Sequence, residues 1–346
     1  MMQTTKLVIF ASSSFALPSI ELLLQAGYLG GVILPDPAEV DEQALQVQQL
    51  AALLQHNKVP YHFCCAAKLP ELSREFDRWQ ARAAVLATFP YLIPSDLLAY
   101  FDLGVYNIHG SALPYYKGAA PVYWQIRNQE REAAVTLHCV TSELDSGNIV
   151  VQQPISIAPC ITGLGLSNQM SQVSSQIVLA LAQRLETTGK AELGVPQANS
   201  SSLTNVPQSV NGNQSKATVE AQSRIWAPKP TKRNSDIDLN LIRSDELAAL
   251  CRASAGTAFP VELFAEKVCF QLIEANESDT LVHGCKAGTI LAIGLQDGLV
   301  MALNGEAVRL SVVACDDGVY SGVNFARRFQ ISIGMLIRVP SHYKGK

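Results

Sequence analysis

Val105-Tyr106-Asn107-Ile108-His109-Gly110-Ser111-Ala112-Leu113-Pro114-Tyr115-Tyr116-Lys117-Gly118 begins as an apolar strand and breaks into a loop of small residues and proline. Asn107 and His109 stand two apart at the strand's end, so both side chains leave the same face. In open α/β sheets, sites form where loops leave the carboxyl ends of strands. The next predicted strand, over 134–140, runs into Thr141-Ser142-Glu143-Leu144-Asp145-Ser146-Gly147. That spacing sets Asp145 on a neighbouring strand-end loop, within reach of the imidazole. An Asn, a His and an Asp meeting in a cleft can serve acyl transfer. The same residues also fit a hydrogen-bonded strand-end histidine and a plain Asp-Ser-Gly turn, and spacing alone names no reaction.

Outward from this stretch the chain alternates. Buried strands are predicted over 7–11, 30–34, 83–88 and 105–108, with helices over 17–26 and 42–55. Short strands separated by helices imply an α/β domain with a doubly wound, mostly parallel sheet. It is expected over residues 1–194. Residues 195–225, with Asn199-Ser200-Ser201-Ser202 and Asn211-Gly212-Asn213, are polar and nearly uncharged and read as a linker. From 226 to 346, a helix over 245–252 precedes β-like runs over 268–273, 288–295, 299–303 and 307–313, with a hairpin signal at Asn304-Gly305. A small β-rich second domain closed as a barrel is expected there.

Composition narrows the function classes. The 346 residues carry a net charge of −4, which excludes a strongly basic chain built to coat nucleic acid. No apolar run approaches the ~18 residues of a membrane span. The run after Lys6 is too short for a secretory signal and reads as the first strand. The eight cysteines form no C-x-x-C pair and suit free thiols in a cytoplasmic protein. No G-x-S-x-G elbow, G-x-G-x-x-G or P-loop occurs, and no metal site is expected.

Asn107-x-His109-x-Ser111-x-Leu113-Pro114, then Lys117-Gly118-Ala119-Ala120-Pro121, then Leu144-Asp145-x-Gly147, resembles the signature of the 10-formyltetrahydrofolate-dependent formyltransferases. This superfamily includes enzymes acting on methionyl-tRNA, glycinamide ribonucleotide and amino sugars. Phe89-Pro90-Tyr91-Leu92-Ile93-Pro94 resembles the family's folate-pocket loop. Ala227-Pro228-Lys229-Pro230-Thr231-Lys232 and Ala287-Gly288-Thr289-Ile290-Leu291 resemble the second domain of the methionyl-tRNA branch. The resemblance implies a Rossmann-like catalytic domain, an OB-like second domain and 10-formyltetrahydrofolate as co-substrate, with no metal.

Carried over position by position, the resemblance makes Asn107, His109 and Asp145 the catalytic set. It assigns Phe89, Tyr91, Leu92, Ile93, Ser111, Ala112, Leu113, Pro114, Val140, Glu143 and Leu144 to the folate site. Ala112 departs from the family's usual Ser-Leu-Leu-Pro by losing bulk. The implied reaction is attack of a neutral primary amine on the formyl carbon. Asn107 and a protonated His109 would donate to the developing oxyanion, and Asp145 would orient the imidazole.

The acceptor is read from charge. Where the methionyl-tRNA branch carries a basic loop, this chain has Pro35-Asp36-Pro37-Ala38-Glu39-Val40-Asp41-Glu42, and phosphate contacts need Lys and Arg. From Trp226 onward Lys/Arg and Asp/Glu balance at 13 each, leaving no basic footprint. A small-molecule amine, such as an amino sugar nucleotide or a natural-product amine, is therefore favoured over initiator tRNA. Ser13, Tyr115, Tyr116 and Lys117 are candidate acceptor contacts; Ser13 also suits a helix cap, and Tyr123 and Trp124 suit either the pocket or a helix core. A formyltetrahydrofolate hydrolase is disfavoured because the chain opens on its first strand, without the regulatory domain usual in such enzymes. A non-catalytic folate binder is disfavoured because it needs no Asn-His-Asp set. The remaining histidines, His138 among them, read as structural.

Overall fold

The computed structural model describes residues 5–40, 43–197, 225–266 and 268–340. Most of the predicted linker, and Asp41 and Glu42 of the acidic loop, lie outside the described residues. The chain divides into two compact units. One comprises Met1–Pro121, Glu132–Ser156 and Ser167–Pro228; the other comprises Val122–Arg131, Ile157–Leu166 and Lys229–Lys346.

The first unit is built on a seven-stranded sheet: β1 (Lys6–Ala11), β2 (Leu29–Pro35), β3 (Tyr61–Cys64), β4 (Ala81–Ala87), β5 (Val105–His109), β6 (Glu132–Cys139) and β7 (Ile149–Ser156). Their order is β3-β2-β1-β4-β5-β6-β7. Every residue from Leu7 to Ala11 is fully buried, as a central strand covered on both faces requires. Each such large side chain contributes about 1.5–3 kcal/mol of burial. Helices α1 (Leu17–Gln25), α2 (Ala44–His56), α3 (Ser73–Trp79) and α4 (Ser95–Tyr100) connect the parallel strands. Phe10, Phe76, Trp79 and Phe101 anchor one core cluster together with Ile33 and Leu86.

Pairing is parallel from β3 through β5 and antiparallel at β5–β6 and β6–β7. The sheet is thus mostly parallel, with an antiparallel flank. Its outermost strands, β3 and β7, are not among the strands predicted from sequence. Edge strands are half solvated, and β7 carries Gln152, Gln153 and Pro154 where a central strand would be apolar.

In the second unit, β8 (Val261–Ala265), β9 (Val268–Ser278), β10 (Ile290–Gly294), β11 (Gly298–Ala302), β12 (Ala307–Cys315), β13 (Gly318–Ser321) and β14 (Ile337–Arg338) pair antiparallel. The Leu303 N–H donates to the Glu306 carbonyl, closing the predicted hairpin. Ile337 N–H to Gly288 O and Ile290 N–H to Met335 O bring the two ends of the sheet together, giving an OB-like barrel. This unit also holds α5 (Pro121–Arg127) from Val122 onward, and α7 (Ser244–Ser254) and α8 (Gly322–Arg328); a further helix, α6, spans Gly163–Thr188. Phe325 of α8 packs on Phe270 of β9 at a ring separation of 4.7 Å. Tyr123 is buried in this unit, its hydroxyl facing the Asn234 carbonyl, so the core role is the one it fills.

Candidate active site

Asn107 and His109 end β5 on one face, and β6 runs antiparallel beside them, pairing Asn107 with His138 and His109 with Thr136. This overturns one premise of the sequence reading. The end of β6, Cys139, sits opposite Tyr106, near the start of β5 rather than its carboxyl end. Asp145 reaches the site because the chain after β6 turns back. Cys139 N–H donates to Asn148 O, and Gly147 lies so close to the Cys139 carbonyl that a Cβ there would stand 1.9 Å from its oxygen. Asp145 itself adopts φ +48°.

The Asp145 carboxylate is buried among donors. Oδ1 accepts from Asn107 Nδ2 at 3.2 Å and lies 3.4 Å from His138 Nε2. Oδ2 accepts from the Gly118 N–H at 2.8 Å and lies 3.6 Å from His109 Nδ1. Burial by itself would push this carboxyl up; His138, His109 and the Gly118 amide outweigh it and hold the group below its ordinary value.

His109 is buried too, and burial pulls its pKa down against the opposing pull of Asp145. Its Nε2 lies 2.8 Å from the Tyr116 carbonyl, which can only accept, so Nε2 carries the hydrogen. A neutral ring then presents a bare Nδ1 to Asp145. The lowered pKa favours a neutral resting ring, with Nε2 donating to the main chain, where the resemblance implied a protonated one. His138, read from sequence as structural, is buried and satisfied on its strand, and it also touches two of the predicted site residues. Its Nδ1 faces the Cys139 carbonyl at 2.9 Å and therefore carries hydrogen, and its Nε2 lies 3.0 Å from Asn107 Nδ2 and 3.4 Å from Asp145 Oδ1. No local pattern marks it; only the β5–β6 register brings it opposite Asn107.

The other predicted site residues divide by burial. Phe89 and Tyr91 are partly buried and stack edge to face at 5.3 Å, with Phe89 on Phe10. The Tyr91 hydroxyl donates to Glu39 of the acidic loop, and burial followed by that contact pushes its pKa up to about 12. Leu92 and Leu144 are 66% and 49% exposed. Glu143 is exposed, and Val140 packs on the core. Ile93 lies in the core, Ser111 is fully buried and Leu113 is buried, so their side chains shape the loop from beneath. Ser111 Oγ donates to the Tyr115 carbonyl, and Thr136 and Gln152 pin the Ser111 and Leu113 carbonyls from β6 and β7. Ala112 and Pro114 are half-buried in the same loop.

Among the candidate acceptor contacts, Ser13 Oγ meets Thr88 Oγ1 and accepts from the Phe15 N–H, which is the cap role. Tyr116 is buried and serves His109 through its carbonyl. Tyr115 is half-buried, and Lys117 Nζ donates to Ser146 Oγ at 3.0 Å. A cavity of about 390 Å³ on the opposite face of β6, lined by Leu137, Val151, Ile177 and Leu181, contains none of these residues. Among the described residues no cluster of His, Cys, Asp and Glu is arranged to hold a metal, and no helix is long and apolar enough to cross a membrane.

Residues 31–181 match the profile of the family described as Formyl transferase. A methionyl-tRNA formyltransferase from Synechococcus sp. (strain JA-2-3B'a(2-13)) is 31% identical over 201 residues, 56% of this chain and 62% of that protein. The chain therefore spans less than two-thirds of the length of this curated relative. The structure of HypX from Aquifex aeolicus in complex with tetrahydrofolic acid superposes with a TM-score of 0.58 at 13% identity, covering 96% of this chain and 48% of that one. An N-formyltransferase from Helicobacter canadensis in complex with folinic acid and dTDP-3-aminofucose superposes with a TM-score of 0.55 at 18% identity, covering 88% and 98%. Identities this low show a shared fold.

Proposed function

Starting from a formyl transferase domain over residues 31–181, we propose that this protein transfers the formyl group of 10-formyltetrahydrofolate to a primary amine. The observation that carries this reading is the convergence of Asn107, His109 and the Gly118 amide on the buried carboxylate of Asp145. Folate supplies an activated one-carbon unit. Leu92 and Leu144 offer uncovered apolar surface on the two loops assigned to it, which suits a flat, partly apolar ring.

The chain's own residues would then divide the work. Asn107 Nδ2 meets His138 Nε2 and Asp145 Oδ1. The longer contact, to Asp145, is the one exchanged for the formyl oxygen as negative charge grows there. The bare Nδ1 of neutral His109 would take up the proton that the attacking amine loses and return it to N10 of the folate as the bond between N10 and the formyl carbon breaks, so that tetrahydrofolate leaves. Asp145, 3.6 Å away, stabilises the imidazolium so formed. Burial of His109 and Asp145 strengthens these interactions by excluding water.

For the acceptor we favour a small-molecule amine. Glu39 holds the Tyr91 hydroxyl, so the loop that carries it sets negative charge next to the folate-side residues, unfavourable for a phosphate backbone. Methionyl-tRNA is the second reading, favoured by the similarity to methionyl-tRNA formyltransferases. Eight free cysteines fit the reducing cytoplasm, where we place the reaction.

The test is tetrahydrofolate release from 10-formyltetrahydrofolate without acceptor, with charged methionyl-tRNA, and with a pooled small-amine fraction. Release with the small-amine pool alone supports the favoured reading. Release with tRNA alone replaces it by the second, and equal release in all three arms indicates a hydrolase.

A further inference from the structure

Glu192-Leu193-Gly194-Val195-Pro196-Gln197 includes the start of the predicted linker, yet it is laced to the catalytic sheet. The Glu192 N–H donates to the Tyr106 hydroxyl at 2.8 Å, and Asn148 Nδ2 donates to the Leu193 carbonyl at 2.9 Å. Ile149 and Val195 exchange both backbone hydrogen bonds. Gly194, at φ +60°, passes so close to Ile149 that a Cβ would stand 2.5 Å from its carbonyl oxygen. The strap ends at the site: Gln197 Nε2 donates to the Asp145 carbonyl at 2.8 Å and to the Gly147 carbonyl at 2.9 Å. Two carbonyls can only accept, so this amide orientation is the one that fits, and both its hydrogens are used.

These bonds fall where the loop needs support. Asp145 is in the left-handed region, unfavourable for a residue with a Cβ. Its carboxylate is fixed at the far end by Asn107 and Gly118. Its main chain is gripped on both sides of Ser146 by one residue.

We propose that Gln197 is a positioning residue for the transfer reaction: by clamping the Asp145 and Gly147 carbonyls it sets the Asp145 carboxylate against Asn107 and His109. The inference rests on the formyl-transfer reading, and one of its readouts does not depend on activity. Gln197→Met keeps the side chain's length and removes the donor. In the full chain, with the acceptor that supports turnover, kcat falls about ten- to a hundredfold while KM for 10-formyltetrahydrofolate stays within about twofold. Amide exchange of Gly118, whose N–H is held by Asp145, accelerates. In an Asp145→Ala background, Gln197→Met causes no further loss, because the two act through one carboxylate. Gln197→Glu, similar in shape but unable to donate when ionised, behaves as Gln197→Met and serves if that variant fails to fold.

Wild-type kcat or unchanged Gly118 exchange in a folded donorless variant overturns the proposal. So does a loss that multiplies with Asp145→Ala, which marks a merely structural staple. A wild-type protein inert with every acceptor defeats the formyl-transfer reading instead, and the Gly118 exchange then still reads whether Gln197 positions Asp145.

Discussion

Asn107 and His138 face each other across the antiparallel β5–β6 pair, the amide nitrogen of one 3.0 Å from Nε2 of the other. His138 Nδ1 is committed to the Cys139 carbonyl, so Nε2 is the nitrogen that meets Asn107, and donation from Asn107 Nδ2 to Asp145 Oδ1 holds that amide nitrogen-inward. His138→Leu removes a partner of Asn107 and of Asp145. Turnover is expected to fall about tenfold with folinic acid affinity retained, and His138→Gln is expected to recover part of it. Steady-state kinetics beside equilibrium folinic acid binding decide the matter; equal loss in both would make His138 a packing residue.

In the proposed reaction, Asn107 and His109 carry the heavier roles. Asn107→Ala and His109→Ala are each expected to lower turnover by about 10²–10³. Tetrahydrofolate release under single-turnover conditions checks this, and near-wild-type rates in both variants would sink the assignment.

Acid sensitivity follows from the buried imidazole. Burial holds the folded-state pKa of His109 below its ordinary 6.5, with Asp145 opposing. Just below that value the unfolded chain binds a proton that the native protein does not, so stability rises with pH there and is lost on acidification. The loss begins as pH falls through 6.5 and ends at the lower folded value. His109→Gln should flatten this window in a denaturation series across pH. Asp145, held below its ordinary 3.8, adds a loss of the same sign only in stronger acid. A wild-type curve with no slope below pH 6.5 would show that His109 is not buried neutral.

The return of the Asp145 loop depends on a missing side chain. At Gly147 a Cβ would overlap the Cys139 carbonyl oxygen, so Gly147→Ala must displace backbone. Destabilisation of about 2–3 kcal/mol is expected, together with loss of activity. Chemical denaturation and the release assay measure the two effects, and a fully active variant of unchanged stability would contradict the close approach.

Local pattern made much of this protein legible. The run at Leu7–Ala11 reads as a buried strand, and the Asn304-Gly305 turn as a hairpin. Asn107 and His109 had to share a face, because strand periodicity is a property of neighbouring residues. Similarity of motifs supplied the candidate chemistry. Tertiary structure alone decided what depends on pairing between distant segments. It set β6 antiparallel to β5 and so brought His138 to Asn107. It returned Asp145 from the far end of that strand, and it bound Gln197, 52 residues on, to the Asp145 main chain. It also set the direction in which His109 is shifted and which nitrogen carries hydrogen, since burial and the Tyr116 carbonyl arise only once the chain has folded. Sequence periodicity fixes which way a side chain points along its own element; register and burial fix what it meets there.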